Sequence, residues 1–503
     1  MAAANQINMH VSGSQALELA AQCVDRGDNW GAAEQLRRAL ASTVPLADTW
    51  ETAVRIAGQI GDDHSAVRAA QRLYDQSKRQ PAHAALLADA LTQSGDPAAA
   101  ADLLVPLADA GKLSPDQIFK LTRDLMFAGR MEEAQRRARA LLTSHADSPT
   151  LWERIAQTKR FVQNDPDIDV MRKVFARWTM ARPEGRSAIA TALARAFVDI
   201  GDDQAANEFL EARALAGRTR FAFDPKPLAA GLRDIVEWCD SGEQDVAPAI
   251  SSGSERPIFI LGPARSGTSL LDQIFSRHSA IKGGGELRHF WLAARELGDC
   301  SSLSLKKFAQ RGGNQAPPGD PWAEFGRRYL SLADERFGSA AKFTDKLLSN
   351  LYRVRAILRA LPNAHFIYID RQPLAVAWSC WRSQFDADSA WSNSADGIAL
   401  YVTVYRWAME AWMTRFPNSF TKVSYERLAS EPDKEIPRLL AGCGLSDEVT
   451  TRQPQHSTRP VITMSFAQVR EPIHTRSIDA VAAFPISTRK LRAALEAMGG
   501  IAT

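Results

Sequence analysis

The sequence predicts a multidomain protein, an N-terminal all-α solenoid followed by a C-terminal α/β domain built on a parallel sheet. Three observations predict it. A glycine recurs every 34 residues near the N-terminus, at Gly27, Gly61, Gly95 and Gly129. A short apolar run, Pro257–Leu261, leads through a glycine-bounded loop into a helix-like segment. After it, strand-like and helix-like stretches alternate. With 503 residues the chain is too long for one core, so two or three domains are expected.

Each repeat glycine is followed five positions later by an alanine: Ala32, Ala66, Ala100 and Ala134. Glycine supplies the left-handed residue that ends one helix. Asp28, Asp62 and Asp96 then cap the next helix, and the small alanine lets the two helices approach closely. A 34-residue period of this kind resembles the tetratricopeptide (TPR) repeat, although the prolines Pro45, Pro81, Pro115 and Pro149 do not all close a unit as that repeat usually has them. The phase slips after Phe161, where Gln163–Asp169 reads as an insertion, and returns at Gly201 and Ala206. The solenoid is expected over 14–238, and a polar Ser/Gly/Pro-rich linker over 239–256. The α/β domain is expected over 257–503.

In that last domain, strands are predicted at Pro257–Leu261, Ala341–Thr344, His365–Asp370 and Phe420–Tyr425. Helices are predicted at Gly267–Ser279, Leu351–Leu361, Pro373–Gln384, Gly397–Phe416 and near Asp433–Cys443. Alternation of this kind implies a parallel sheet with ligands at the carboxyl ends of its strands. Trp378, Trp381, Trp407 and Trp412 fall at helical spacing and read as core residues.

The first strand opens into Gly262-Pro-Ala-Arg-Ser-Gly-Thr-Ser269. Strand, glycine-bounded loop and helix start together gather backbone N–H groups and a helix dipole where a phosphate would sit. The loop has the outline of a P-loop but not its Gly-Lys-Ser/Thr ending. Thr268 stands in the lysine's place, and the cation is Arg265. This argues against γ-phosphoryl transfer from ATP and for a different phosphate-ester donor. The other predicted strand ends carry matching chemistry. Gly283-Gly-Gly-Glu286 brings a carboxylate, Asp345-Lys346 an ammonium, and Asp370-Arg371 a guanidinium ahead of Ser379 and Arg382. Tyr425 follows the last strand. Ser465 and Arg470 lie in the segment Thr458–Ile473.

Pro257–Glu286 and Asp345–Ser379 resemble the two cofactor signatures of the P-loop-like sulfotransferases, and nearly the whole chain is similar to bacterial TPR sulfotransferases, whose catalytic domain is similar to that of protein-tyrosine sulfotransferases. The resemblance implies 3′-phosphoadenosine 5′-phosphosulfate (PAPS) as donor, leaving as adenosine 3′,5′-bisphosphate. It implies that Arg265, Ser266, Gly267, Thr268, Ser269 and Lys346 hold the phosphosulfate. Arg371 and Ser379 would hold the 3′-phosphate, with Tyr425 and Arg470 as further cofactor contacts. Glu286 matches the catalytic glutamate, with Lys346 and Arg265 also catalytic. The departures are local: Pro263-Ala264 stand where Met-Pro is frequent, Gln372 replaces the usual aspartate, and Asp345-Lys346 lacks the usual proline-containing run after it. Chemically, the acceptor hydroxyl needs a base, and the leaving phosphate needs converging positive charge. His289 is an alternative base on sequence grounds.

Net charge is only +3, which gives no basis for a nucleic-acid partner. The five cysteines are scattered, with neither metal-ligand nor redox spacing, so no metal is expected. No apolar stretch suits a membrane span, and Met1–His10 lacks the charge and apolar run of a signal peptide; a cytoplasmic protein is expected. The solenoid's concave face suits a peptide, so the acceptor is expected on a protein or peptide, with a small alcohol, phenol or glycan as the alternative. The repeats are expected to present that acceptor or to make a homodimer. The loops Cys300–Trp322 and Asp386–Gly397 lie beside the cofactor segments as candidate lids. Two rival readings are a nucleotide-dependent kinase with a degenerate P-loop and a catalytically inactive TPR scaffold.

Overall fold

The computed structural model describes residues 12–42, 49–242, 253–310, 320–339, 341–457, 459–460, 462 and 470–499. Thirteen helices, from Gly13–Asp25 to Lys226–Asp240, make up the N-terminal part among these residues. They stack as antiparallel pairs, beginning with Gly13–Asp25 against Asn29–Ala41 and Trp50–Ile60 against Asp63–Gln76.

The repeat chemistry is as the spacing predicts. Gly27, Gly61, Gly95, Gly129 and Gly201 all have φ between 76° and 100°, a backbone conformation that side chains resist. The Asp28, Asp62, Asp96 and Asp202 carboxylates accept the amides of Gly31, Ser65, Ala99 and Ala205 at 2.8–3.0 Å, which satisfies orphan donors of the next helix. Ala32, Ala66, Ala100, Ala134 and Ala206 are all buried between helices. Pro81, Pro115 and Pro149 open helices at their first turn, where a missing N–H costs nothing; Pro45 lies outside the described residues. One expectation needs correcting. Pro166–Asp169, read as part of an insertion, is the first turn of a helix, Pro166–Arg177, capped by Asp165. A proline that looks like a loop signal is here a helix start.

Among the described residues the C-terminal part holds five parallel strands: β1 (Pro257–Leu261), β2 (Ile281–Lys282), β3 (Lys342–Asp345), β4 (His365–Asp370) and β5 (Phe420–Ser424). Their spatial order is β2-β3-β1-β4-β5. Strand β2 was not foreseen, because two residues carry no periodicity. Strand β1 is buried on both faces. Phe259 stacks on Phe366 at 5.0 Å between ring centres, and Phe366 stacks on Phe420 at 4.9 Å. Ile258 and Ile260 pack on the opposite face with Leu271, Ile274 and Ile367. Each such side chain contributes about 1.5–3 kcal/mol. The register pairs Phe259 with Asp345 and Leu261 with Tyr368, so the ends of β1, β3 and β4 open side by side.

Trp378, Trp381 and Trp412 are buried as expected, but Trp407 is 47% exposed. It shares a helix, Ala395–Arg415, whose inward face is already filled by Tyr405, Ala408, Met409 and Trp412. The predicted linker begins inside the last solenoid helix, and its residues 243–252 lie outside the described ones.

The two parts share their cores. One apolar cluster runs from Trp50 and Ile56 of the repeats to Phe290 and Phe259 beside the sheet. A second joins Phe197 and Phe209 to Trp378 and Trp381. Polar contacts add to this. Asp203, near the start of one repeat helix, accepts the amides of Ile486 and Ser487 at 2.7 and 3.1 Å and so anchors the helix Pro485–Ala497. Arg213 is 1% exposed and donates to the carbonyls of Ser383 and Ser392 at 3.2 and 3.3 Å. Burial pulls its pKa down to about 10. Truncating it orphans two buried carbonyls, so Arg213→Ala is expected to cost about 2–4 kcal/mol, read as a lower urea midpoint. An unchanged midpoint would show that the two parts do not depend on this contact.

Candidate active site

The loop that leaves β1 is fixed from three directions. The amide of Gly262 donates to the Tyr405 hydroxyl at 3.1 Å, and that of Ala264 to the Tyr401 hydroxyl at 2.9 Å. The Arg371 guanidinium donates to the Arg265 carbonyl at 3.0 Å. Arg265 adopts φ +70° and Gly267 φ +114°, so the chain folds over itself before the helix Thr268–Ser276 begins. At Gly267 a Cβ would lie 2.6 Å from the Tyr425 ring, which explains the glycine. The amides of Gly267 and Thr268 sit at the helix start, where no intrahelical acceptor exists.

Around this loop the structure brings together most of the predicted residues. Arg265 donates from Nε to Ser379 Oγ at 3.1 Å. Arg371 lies over the Tyr425 ring, 4.2 Å from its centre, and also donates to the Ser477 carbonyl at 2.9 Å. Lys346 Nζ donates to Glu286 Oε1 at 2.6 Å. The Lys346 side chain is almost fully enclosed, whereas that of Glu286 is 45% exposed. Close packing fixes Glu286: a Cβ on Gly284 would fall 2.0 Å from the Thr344 carbonyl, and the amide of Lys346 donates to the Gly285 carbonyl at 2.7 Å. Ser266 is fully buried and its hydroxyl has no partner. Thr268 and Ser269 are buried beside it.

Two cavities meet at the loop, sharing Arg265, Gly267 and Ser269. The first, about 520 Å³, is lined by Arg371, Ser379, Arg382 and Tyr425. The second, about 510 Å³, is lined by Glu286, Lys346 and the rings of Tyr352, Phe385, Trp391 and Tyr401. Arg371, Ser379 and Tyr425 line the first space alone, Thr268, Glu286 and Lys346 the second alone.

Arg470 is not brought to either cavity. It donates to the Phe127 carbonyl at 2.9 Å and packs on the solenoid turn at Gly129. Ser465 lies outside the described residues. His289 lines a separate space against the repeats with Asp62, Asp63 and His64. Burial drives its pKa down to about 3, so it is a poor proton acceptor, and Glu286 is not part of that space. Of the candidate lids, Asp386, Ser389 and Trp391 line the second cavity; residues 311–319 of the other lie outside the described residues.

Several residues at the site carried no signal in the sequence. Arg459 pairs with Asp272 at 2.6 Å. Arg160 and Arg195 reach the first cavity from the solenoid. Tyr401 and Tyr405 grip the loop from a helix about 140 residues away in the chain. Only the last pair had a readable mark, two tyrosines one turn apart on an otherwise apolar helix face. Among the described residues, no group of three or more His, Cys, Asp or Glu is arranged to hold a metal ion. No described helix is long and apolar enough to cross a membrane.

Asp345, beside Lys346, is fully buried and accepts from the Tyr329 hydroxyl and the Leu347 amide at 3.1 Å each. Burial raises its pKa from 3.8 to about 7. The folded state therefore holds a proton that the unfolded chain has released. That stability is fully present below about pH 4 and is lost as pH rises through about 7. Asp345→Asn is expected to flatten this fall in urea midpoint between pH 5 and pH 8. An unchanged slope would mean that Asp345 is ionised in the folded protein.

Residues 257–449 match the model of the sulfotransferase family. An uncharacterised protein of Aquifex aeolicus is 31% identical over 237 residues, which is 45% of this chain and 30% of that protein; the chain thus spans under a third of that relative's length. Among solved structures, the sulfotransferase domain of the olefin synthase of Synechococcus PCC 7002 is 18% identical, with a TM-score of 0.36, over 51% of this chain and 98% of its own. A sulfotransferase of Mycobacterium tuberculosis is 14% identical, with a TM-score of 0.29, over 67% of this chain and 100% of its own. The glycine-bounded loop and the cationic strand ends all fall within the span, residues 257–449, that matches the sulfotransferase family model.

Proposed function

We propose that this protein is a PAPS-dependent sulfotransferase acting on an acceptor hydroxyl, and that the hydroxyl is carried by a protein or peptide. One observation carries the reading: two cavities of different chemistry meet at a single anion-binding loop, one edged by guanidinium groups and the other by a carboxylate–ammonium pair.

The residues fit a nucleotide bearing phosphate at both ends. The Ser266 hydroxyl and Arg371 Nε are both buried without a partner, and a buried polar group left unpaired is costly. Both are donors of the kind a phosphate oxygen accepts from. Burial lowers the pKa of Arg265 to about 10 and also lowers that of Arg371, as expected of cations waiting for an anion. When bound, PAPS supplies the sulfuryl group and leaves as adenosine 3′,5′-bisphosphate.

The chain's own residues divide the remaining work. Arg265, Lys346 and the amides at the start of helix Thr268–Ser276 place positive charge where the leaving phosphate gains negative charge. Arg371 and Ser379 anchor the remote phosphate and so fix the donor's orientation. Glu286 faces the second cavity and accepts the proton that the hydroxyl loses on attack; its bond to Lys346 holds the carboxylate in place. The aromatic walls of that cavity exclude water and suit a flat or ring-bearing group. Phe127 of the solenoid helix Pro115–Phe127 completes it, which supports delivery of the acceptor along the repeats.

Adenosine 3′,5′-bisphosphate, added with a chelator present, is expected to raise the thermal midpoint. At a hundredfold excess over its Kd the folded state gains about 2.7 kcal/mol; no shift at millimolar ligand would refute donor binding. Glu286→Gln is expected to retain that shift and lose roughly 10²–10⁴-fold in sulfuryl transfer, measured with labelled donor and a lysate-derived acceptor. Undiminished turnover would remove Glu286 as the base.

A further inference from the structure

The first cavity is not built by the sulfotransferase domain alone. One wall comes from the solenoid: Gln157, Lys159 and Arg160 at the end of helix Pro149–Thr158, and Arg195 and Asp199 on helix Pro183–Ile200. Across from them stand Arg265, Arg371 and Arg382. The cavity volume of about 520 Å³ lies in the roughly 300–1,000 Å³ range of cofactor sites.

Lys159 is committed elsewhere, to Asp165 and Asp167 at 2.6 and 2.8 Å. Arg195 and Arg382 are not committed: neither guanidinium donates a hydrogen bond to a described residue. The acid acting on Arg195 is Asp199, one turn along its own helix, and Asp199 is occupied in accepting the Phe161 amide at 3.1 Å. Arg195, Arg265 and Arg371 all lie close enough to Arg382 to repel it, with Asp199 the one acid acting against them there. Burial first, and then Arg265, Arg195 and Arg371, pull Arg382 down to about 10. Arg195 is exposed and the other three guanidinium groups are half-buried, and even with Asp199 and Glu471 in the lining the cavity carries an excess of positive charge that an anion would offset.

Glu286 and Lys346 are absent from this cavity's lining, so it lies on the side of the loop away from the proton acceptor. We propose that Arg195, together with Arg382, binds the 3′-phosphate of the nucleotide, so that the repeat domain forms part of the donor site. This inference rests on the donor reading above. It makes the solenoid more than an acceptor platform, because a sulfotransferase domain without it lacks one of the cations on the 3′-phosphate.

The test is calorimetric titration of the full chain with adenosine 3′,5′-bisphosphate and with adenosine 5′-monophosphate. The unmodified protein is expected to bind the bisphosphate more tightly. Arg195→Ala is expected to weaken the bisphosphate roughly ten- to a hundredfold, the worth of charge-assisted hydrogen bonds, and to change the monophosphate by less than about twofold. Equal loss for both ligands, or no loss for either, would overturn the assignment while leaving the donor reading intact. Failure of the unmodified protein to bind the bisphosphate would instead overturn the donor reading and this inference together. A second measurement separates ligation from scaffolding: without nucleotide, Arg195→Ala is expected to match or exceed the parent thermal midpoint, because a repelling charge is removed. A lower midpoint would mark Arg195 as a structural residue and sink the proposal.

Discussion

The site depends on a loop that has almost no freedom. The chain between Leu261 and Thr268 leaves a strand buried on both faces and is tied to two tyrosine hydroxyls and one guanidinium. Arg265 is held with positive φ, which costs a non-glycine residue of order 1 kcal/mol or more. The surrounding bonds over-determine that conformation. A loop able to relax would spend part of any binding energy on being ordered; this one is already held in a single shape.

From that fixed point the chemistry separates by direction. The parallel sheet brings the ends of β1, β3, β4 and β5 to one edge, as such sheets do. Glu286 and Lys346 lie to one side of the loop, and Arg371, Ser379 and Arg382 to the other. The solenoid touches both sides, with Phe127 in the aromatic space and Arg160 and Arg195 in the cationic one. It is part of the walls and not an appendage.

Legibility in the sequence followed locality. The repeats were readable because glycine caps, aspartate caps and small alanines act within a few residues and recur at a fixed interval. The loop, Lys346 and Arg371 stood out because each follows a predicted strand directly, whereas Glu286 and Ser379 stood out through the resemblance to the sulfotransferase signatures; the structure gathers all of them around the loop. Arg470 is a different case: its neighbours in sequence gave no hint that it would reach the Phe127 carbonyl. Arg195 was illegible for the same reason. On an alanine-rich helix it looks like an ordinary surface arginine, and only the docking of the solenoid gives it a cavity to face. Trp407 shows that spacing alone is ambiguous, since a wide apolar face holds more positions than the core has room for.

The Asp203 carboxylate, which receives the amides of Ile486 and Ser487, has a mechanical meaning. A late solenoid helix and the last described helix meet there, so the stretch of chain between them closes into a non-covalent loop. That contact joins the two parts independently of the residues that connect them. Severing the backbone between Asp240 and Pro257 would leave two fragments still clasped through that latch and the shared apolar clusters. Loss of the final helix, in contrast, would undo the clasp from a distance and loosen repeats that lie more than 280 positions earlier in the sequence.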